Sequence, residues 1–140
     1  MGEETKKHNL VIVVDDDDIN NFLCEKVIMS SNVSEKMRSY LNGRVAMDDI
    51  EKAINEKRTE DIPSVIFLDI NMPVMNGWEF LDELEPLVEK HQIPTKVAIL
   101  SSSVFQKDKE RADKYKVVVD YISKPLSIAS VKGFFEKHCQ

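Results

Sequence analysis

The sequence passes from five apolar residues to four aspartates in the stretch Leu10-Val11-Ile12-Val13-Val14-Asp15-Asp16-Asp17-Asp18. A continuous apolar run of this length is typical of a strand that is covered on both faces, as in a parallel sheet. Carboxylates crowded at the end of such a strand repel one another, and solvent or a divalent cation must neutralise them. The stretch therefore predicts a buried strand that ends at a candidate cation site.

Composition and charge limit the classes of protein that fit. The chain has 140 residues, of which 42% are hydrophobic and 31% charged, as expected for one soluble domain. Its apolar runs of about five residues are far shorter than the roughly 20 that a membrane span needs. Residues 1–9 form a polar leader without a signal-peptide core, so we expect a cytoplasmic protein whose residues 10–140 make one domain. The net charge of −6 disfavours binding to nucleic acid or to an anionic membrane.

Four more strand candidates alternate with helical patterns along the chain. They cover residues 36–41, 65–69, 96–100 and 118–122. Strands that alternate with helices are typical of an α/β protein with a parallel sheet. Since parallel strands end at the same edge, the residues that follow them should meet there, where open α/β folds bind ligands. These residues are Asp15, Asp16, Asp69, Ser101 and Lys124.

The helical patterns carry more detailed expectations. In the first helix the apolar residues Ile19, Phe22, Leu23 and Val27 recur at helical spacing, and we expect them to be buried. We interpret Asp17 and Asp18 as solvated loop residues, with Asp18 placed to cap this helix. A third helix should begin near Gly77 and kink or stop early at Pro86. A fourth, over residues 104–116, has few apolar anchors and should be loosely held.

Four motifs together resemble the receiver domain of two-component response regulators. They are Val14-Asp15-Asp16, Asp69-Ile70-Asn71-Met72-Pro73-Val74-Met75-Asn76-Gly77, Leu100-Ser101-Ser102 and Tyr121-Ile122-Ser123-Lys124-Pro125. The resemblance covers about residues 10–138 and extends to the single-domain members of the family. It implies a flavodoxin-like, doubly wound parallel sheet of five strands in the order 2-1-3-4-5, with five helices.

The resemblance also implies a chemistry for the strand ends. Asp69 would be the phosphoacceptor, because a carboxylate can attack an activated phosphoryl group and form an acyl phosphate. Asp16, Asp69 and the main-chain carbonyl of Asn71 would bind Mg²⁺, and Asp15 would act mainly through a bound water. Incoming water would pass Asn71 and Ser103, which would set the lifetime of the phosphorylated state.

Three further residues would link phosphorylation to a change of shape. Lys124 would pair with Asp69 in the free state and with a phosphoryl oxygen afterwards, and a cis peptide bond to Pro125 would follow it. The Ser101 hydroxyl would donate to the phosphoryl group and draw in the loop before the fourth helix. The Tyr121 ring would then turn inward, although an ordinary half-buried strand tyrosine is the alternative.

The function implied is that of a phosphoacceptor, not of an enzyme acting on other substrates. A sensor histidine kinase or phosphotransfer protein would supply the phosphoryl group, and an unknown downstream protein would bind the fourth and fifth helices. Dimerisation on phosphorylation is a further possibility that the resemblance leaves open. One alternative is a phosphorylation-independent adaptor. Another is an aspartate-nucleophile phosphatase, because Asp15-Asp16-Asp17 contains an Asp-x-Asp pattern, although no acidic pair follows Lys124.

Overall fold

Five parallel strands form a sheet in the order β2-β1-β3-β4-β5 in the computed structural model, which describes residues 8–102 and 105–139. The strands are β1 (His8–Val14), β2 (Ser34–Tyr40), β3 (Val65–Asp69), β4 (Lys96–Ser101) and β5 (Val118–Ser123). The helices are α1 (Asp18–Ser31), α2 (Gly43–Asn55), α3 (Gly77–His91), α4 (Gln106–Ala112) and α5 (Ile128–His138), with a short 3-10 helix at Thr59–Asp61. This confirms the predicted flavodoxin-like α/β fold with five helices and its strand order.

The central strands are apolar on both faces because helices cover both faces of the sheet. Along β3, Ile66 and Leu68 point into one hydrophobic cluster, which the apolar residues of α2 and α3 complete. Val65 and Phe67 point into a second cluster, which α1 and α5 complete. The continuous apolar runs in the sequence therefore reflect burial on two sides, as predicted.

Helix α1 packs with a different face from the one predicted. Ile19, Phe22 and Leu23 are 72%, 56% and 52% exposed, and the buried residues of the helix are Asn21, Cys24, Ile28 and Ser31. For these three residues the prediction was wrong because it followed apolar spacing alone, whereas Val27 is half-buried against the second cluster. The Asn21 side chain turns inward to donate to two main-chain carbonyls, those of Asp15 at 2.9 Å and Tyr40 at 3.3 Å.

The cap of α1 also differs from the prediction. Asp17, and not Asp18, is the N-cap, and its Oδ1 accepts from the backbone N–H groups of Ile19 at 3.0 Å and Asn20 at 3.2 Å. Asp18 is the first helical residue, where its charge is favourable near the positive end of the helix dipole. The third aspartate of the run therefore has a structural role that the interpretation as solvated loop missed.

Helix α3 begins at Gly77 as predicted, but it does not stop early at Pro86. It continues to His91. Proline frees the carbonyl one turn earlier, that of Asp82, and both residues lie on the exposed side of the helix, where water can bind that carbonyl. The predicted early stop was therefore wrong.

Helix α4 is shorter than the predicted range of 104–116, and Val104 lies outside the described residues. Ala112 is its buried residue, and Phe105, the N-cap residue, is 60% exposed. The longest of the five helices is α3, with 15 residues. Among residues 8–102 and 105–139, no helix combines the length and the apolar character that crossing a membrane requires.

Candidate functional site

Four strand ends meet at one edge of the sheet, as the topology requires. Asp15 follows β1, Asp69 ends β3, Ser101 ends β4 and Lys124 follows β5. The backbone N–H of Lys124 donates to the Ser101 carbonyl at 2.8 Å, so the ends of β4 and β5 are joined directly beside the carboxylates. The Lys124–Pro125 peptide bond is cis, as the resemblance implies.

Three carboxylates form a cluster at this edge. Asp15, Asp16 and Asp69 each offer one oxygen atom, and these atoms all lie within 4.8 Å of one another. Asp15 and Asp69 are buried, whereas Asp16 is exposed. Oxygen-only donors at this spacing, open to solvent on one side, suit a small hard cation such as Mg²⁺.

The side chain of Asp15 is held at both oxygens. Oδ1 accepts from the backbone N–H of Asp17 at 2.9 Å. Oδ2 accepts from Lys124 Nζ at 2.7 Å and from Asn20 Nδ2 at 2.7 Å. Sequence reasoning missed Asn20 and Asn21; their only signal was two amides in the first turn of a helix that follows the aspartates.

Lys124 lies between the two buried carboxylates and is closer to Asp15. Its Nζ is 2.7 Å from Asp15 Oδ2 and 3.7 Å from Asp69 Oδ2. Burial opposes the positive charge, but the hydrogen bond to Asp15 and the charge of Asp69 outweigh this effect and raise the pKa of Lys124. The expected contact with Asp69 is therefore present, but it is the longer of the two.

The surroundings of Asp69 orient its carboxyl group and shift its acidity. Its Oδ1 accepts from the backbone N–H of Asn71 at 3.1 Å, which fixes the rotation of the carboxyl group. Burial raises the pKa of Asp69 to about 6, the Asp15 carboxylate adds to the rise, and the Asn71 hydrogen bond and Lys124 oppose it. A carboxylate that is costly to keep charged is stabilised by a cation beside it.

The two residues assigned to the switch lie on neighbouring strands. Ser101 is buried at the end of β4. Tyr121 is half-buried on β5, and its hydroxyl is enclosed without a hydrogen-bond partner among the described residues. Lys109 Nζ of α4 lies 5.9 Å from the centre of the Tyr121 ring. The switching roles of Ser101 and Tyr121 stay predictions. Ser103, which we expected to influence the lifetime of the phosphorylated state, lies outside the described residues.

The loop between β3 and α3 contains a strained turn. The Met75 N–H donates to the Pro73 carbonyl at 2.7 Å, and Val74 between them has a φ of 70°. A γ-turn with positive φ is rare and strained, and it is least favourable at a β-branched residue. Backbone strain of this kind is often found where a loop must hold a functional geometry.

Gly77 is required by space and not by backbone freedom. No glycine among the described residues has a positive φ. A Cβ atom at Gly77 would lie 2.6 Å from the Ile70 Cα, where no real side chain fits. The start of α3 is therefore packed directly against the backbone that follows Asp69.

Comparisons with known proteins agree with this geometry. The profile of the family described as "Response regulator receiver domain" matches residues 11–134. A crystal structure of a two-component response regulator from Cytophaga hutchinsonii has a TM-score of 0.84 and 32% identity, and the match covers 94% of this chain and 97% of that one.

Curated relatives show the same domain within proteins of different length. "Response regulator Rcp1" of Synechocystis is 25% identical, over 74% of this chain and 68% of its own. The "Protein-glutamate methylesterase/protein-glutamine glutaminase" of Treponema denticola is 34% identical over 116 residues, which are 82% of this chain and 28% of that protein. The chain thus spans less than a third of that relative. Since the profile covers most of the chain and the fold agrees, the chain belongs to the response regulator receiver domain family.

Proposed function

We propose that this chain accepts a phosphoryl group on Asp69 and signals by protein–protein contacts in a two-component phosphorelay. The observation that carries the proposal is the position of Asp69. Its carboxylate lies at the open edge of the sheet with two other carboxylates within 4.8 Å and the Lys124 ammonium at 3.7 Å. This arrangement supplies a nucleophile, a place for a cation and a mobile positive charge.

The proposed reaction forms an acyl phosphate. One oxygen of the Asp69 carboxylate attacks the phosphorus of a phosphohistidine, the P–N bond breaks, and the imidazole retains its electron pair. The Asn71 N–H donates to Oδ1 and would hold the orientation of the carboxyl group fixed during the attack. Loss of the phosphoryl group to water, which this chain would itself accelerate, resets the module.

A divalent cation fits the carboxylate cluster. Asp16, Asp69 and the main-chain carbonyl of Asn71 would hold Mg²⁺, with Asp15 acting mainly through a bound water. When bound, Mg²⁺ would neutralise charge that develops on the transferring phosphoryl group. The chain itself contributes the burial of Asp15 and Asp69, which strengthens every electrostatic interaction at this edge.

Phosphorylation would change the contacts of the β4 and β5 ends. Lys124 Nζ is already 3.7 Å from Asp69, so a phosphoryl group there would offer it an anionic partner in place of the Asp69 carboxylate. Ser101 would donate to the same group. The Tyr121 ring would then turn inward, and this would move the enclosed Tyr121 hydroxyl, which has no hydrogen-bond partner among the described residues. Because Lys109 of α4 lies over the Tyr121 ring, that turn would alter the α4 surface that a target protein reads.

The phosphodonor is proposed to contact α1. This helix begins two residues after Asp16, and its exposed face carries the apolar side chains of Ile19, Phe22 and Leu23. Exposed apolar patches of this kind mark protein-binding surfaces. A histidine kinase or phosphotransfer protein that brings a histidine to Asp69 has to cover this rim of the site.

An intact-protein mass measurement tests the proposal. We expect the wild type to gain one phosphoryl group on incubation with acetyl phosphate and Mg²⁺, and Asp69→Ala to gain none. Asp18→Ala is the matched control, because Asp18 belongs to the same aspartate run but not to the carboxylate cluster. An unmodified wild type would favour the phosphorylation-independent adaptor, and a modified Asp69→Ala would contradict the assignment.

A further inference from the structure

We propose that Asn20 is a positioning residue that holds the Asp15 carboxylate in the orientation needed for cation binding. The inference rests on the proposed function, since it concerns the same carboxylate cluster. Asn20 lies in the first turn of α1 and is half-buried beside the cluster. It is not one of the residues that the four sequence motifs contain.

The contacts of the Asn20 amide define its role. Nδ2 donates to Asp15 Oδ2 at 2.7 Å and to Cys24 Sγ at 3.6 Å. On the other side of the carboxylate, the Asp17 N–H donates to Oδ1 at 2.9 Å. Asp15 is thus held through both of its oxygens, one by α1 and the other by the N-cap residue of α1, and this fixes the plane of the carboxylate with respect to Asp16 and Asp69.

Asn20 shares its acceptor, Asp15 Oδ2, with Lys124, which is expected to turn away from Asp15 on phosphorylation. Lys124 Nζ donates to the same Oδ2 and also faces Asp69. When Lys124 turns toward a phosphoryl group on Asp69, Asn20 is the donor that stays on Oδ2. An amide is suited to this task because it orients a carboxylate without carrying a charge that would repel a cation.

The adjacent Asn21 has a separate, structural role. It is 2% exposed, and its amide bonds the main-chain carbonyls of Asp15 and Tyr40 and not the Asp15 side chain. Asn21 therefore joins α1 to the ends of β1 and β2. Asn20 acts on the functional oxygens, so its loss should affect cation affinity more than folding.

The test is a double-mutant cycle on Mg²⁺ binding, measured by isothermal titration calorimetry on wild type, Asn20→Leu, Asp15→Asn and the double variant. Leucine keeps the approximate shape of asparagine but has no donor. Loss of a partner behind a metal ligand costs about 10-fold or more in affinity, so we expect Asn20→Leu to weaken binding by about 10-fold. In the Asp15→Asn background the same substitution should have no further effect, because Asn20 acts through Asp15.

Further variants separate positioning from folding. Asn20→Gln keeps an amide donor and should recover part of the affinity lost in Asn20→Leu. Asn20→Ser, whose hydroxyl is too short to reach Asp15, should weaken binding and serves if the leucine variant does not fold. Ile28→Val perturbs the buried face of the same helix and should lower the thermal midpoint while leaving Mg²⁺ affinity unchanged.

The outcomes also distinguish this inference from the proposed function. Equal Mg²⁺ affinity in wild type and Asn20→Leu, or an undiminished effect in the Asp15→Asn background, would overturn the positioning role while phosphorylation of Asp69 could still be intact. Loss of affinity that depends on Asp15, in a protein that acetyl phosphate does not modify, would support the positioning role and reject the phosphoacceptor.

Discussion

Lys124 Nζ lies 2.7 Å from Asp15 Oδ2, although the two residues are 109 positions apart in the chain. The Lys124 ammonium thus neutralises part of the charge of Asp15 and Asp69, and it competes with a metal cation for these carboxylates. We expect Lys124→Met to tighten Mg²⁺ binding roughly 5-fold, as removal of a unit charge a few ångströms away implies in a partly solvated site. Calorimetric titration checks this, and unchanged or weaker binding would count against the competition.

The exposed face of α1 predicts a selective loss of protein-mediated phosphorylation. Phe22→Ala should slow phosphoryl transfer from a phosphorylated histidine phosphotransfer protein by about 10-fold, the effect of losing one aromatic contact of an interface. The rate with acetyl phosphate should not change, because a small donor needs no docking surface. Phe105→Ala, which removes an equally exposed ring elsewhere, is the matched control. If both variants slow transfer equally, the α1 surface is not the docking site.

Two glycines with opposite surroundings give a prediction about stability. Gly77→Ala would place a Cβ 2.6 Å from the Ile70 Cα and should destabilise the protein by about 2 kcal/mol or more, since backbone must shift. Gly133→Ala in α5 meets no atom within 4 Å and should stabilise it by about 0.5–1 kcal/mol. Urea unfolding of the two variants measures both effects. Equal effects would show that space at Gly77 is not the reason for glycine there.

A cluster away from the site predicts a pH dependence of stability. Asp61 accepts from Arg38 at 2.8 Å and from Lys36 at 3.2 Å, and it also pairs with Arg58. The hydrogen bonds from Arg38 and Lys36, followed by the one from Arg58, lower the pKa of Asp61 to about 2. Because the folded-state pKa is depressed, the stabilisation is present above the unfolded pKa of about 4 and is lost as the pH falls toward 2.

The measurement for Asp61 is the urea midpoint of wild type and Asp61→Asn at several pH values. Wild type should be the more stable near pH 6, and the difference should shrink between pH 4 and pH 2. Asp113→Asn, a change at an exposed aspartate of a turn, serves as the control. A difference that stays constant down to pH 2 would mean that the charge of Asp61 does not stabilise the fold.

The topology was predictable because its physical causes are repeated along the sequence. Parallel strands buried on two sides need continuous apolar runs, and these mark β1, β3 and β4 without ambiguity. Once the strands are placed, their ends bring Asp15, Asp69 and Lys124 together, whatever the details of the helices. The candidate site therefore followed from strand positions and not from single motifs.

What sequence reasoning missed depends on polar contacts between distant parts of the chain. Apolar spacing placed Phe22 inside, but the inward face of α1 is set by Asn21, which satisfies carbonyls of β1 and β2. The same is true of Asn20, whose partner Asp15 lies five residues earlier, across the start of the helix. Hydrophobic periodicity holds no information about which buried carbonyl or carboxylate needs a donor.

The identity of the phosphoacceptor is tested most directly by locating the modification. After incubation with acetyl phosphate and Mg²⁺, borohydride reduction converts an aspartyl phosphate into homoserine, and peptide mass spectrometry then identifies the residue that was phosphorylated. We predict homoserine at position 69 in the wild type and none at that position in protein treated with EDTA before the incubation. Homoserine at Asp15 or Asp16, or a stable phosphate on Ser101, would contradict the assignment of Asp69.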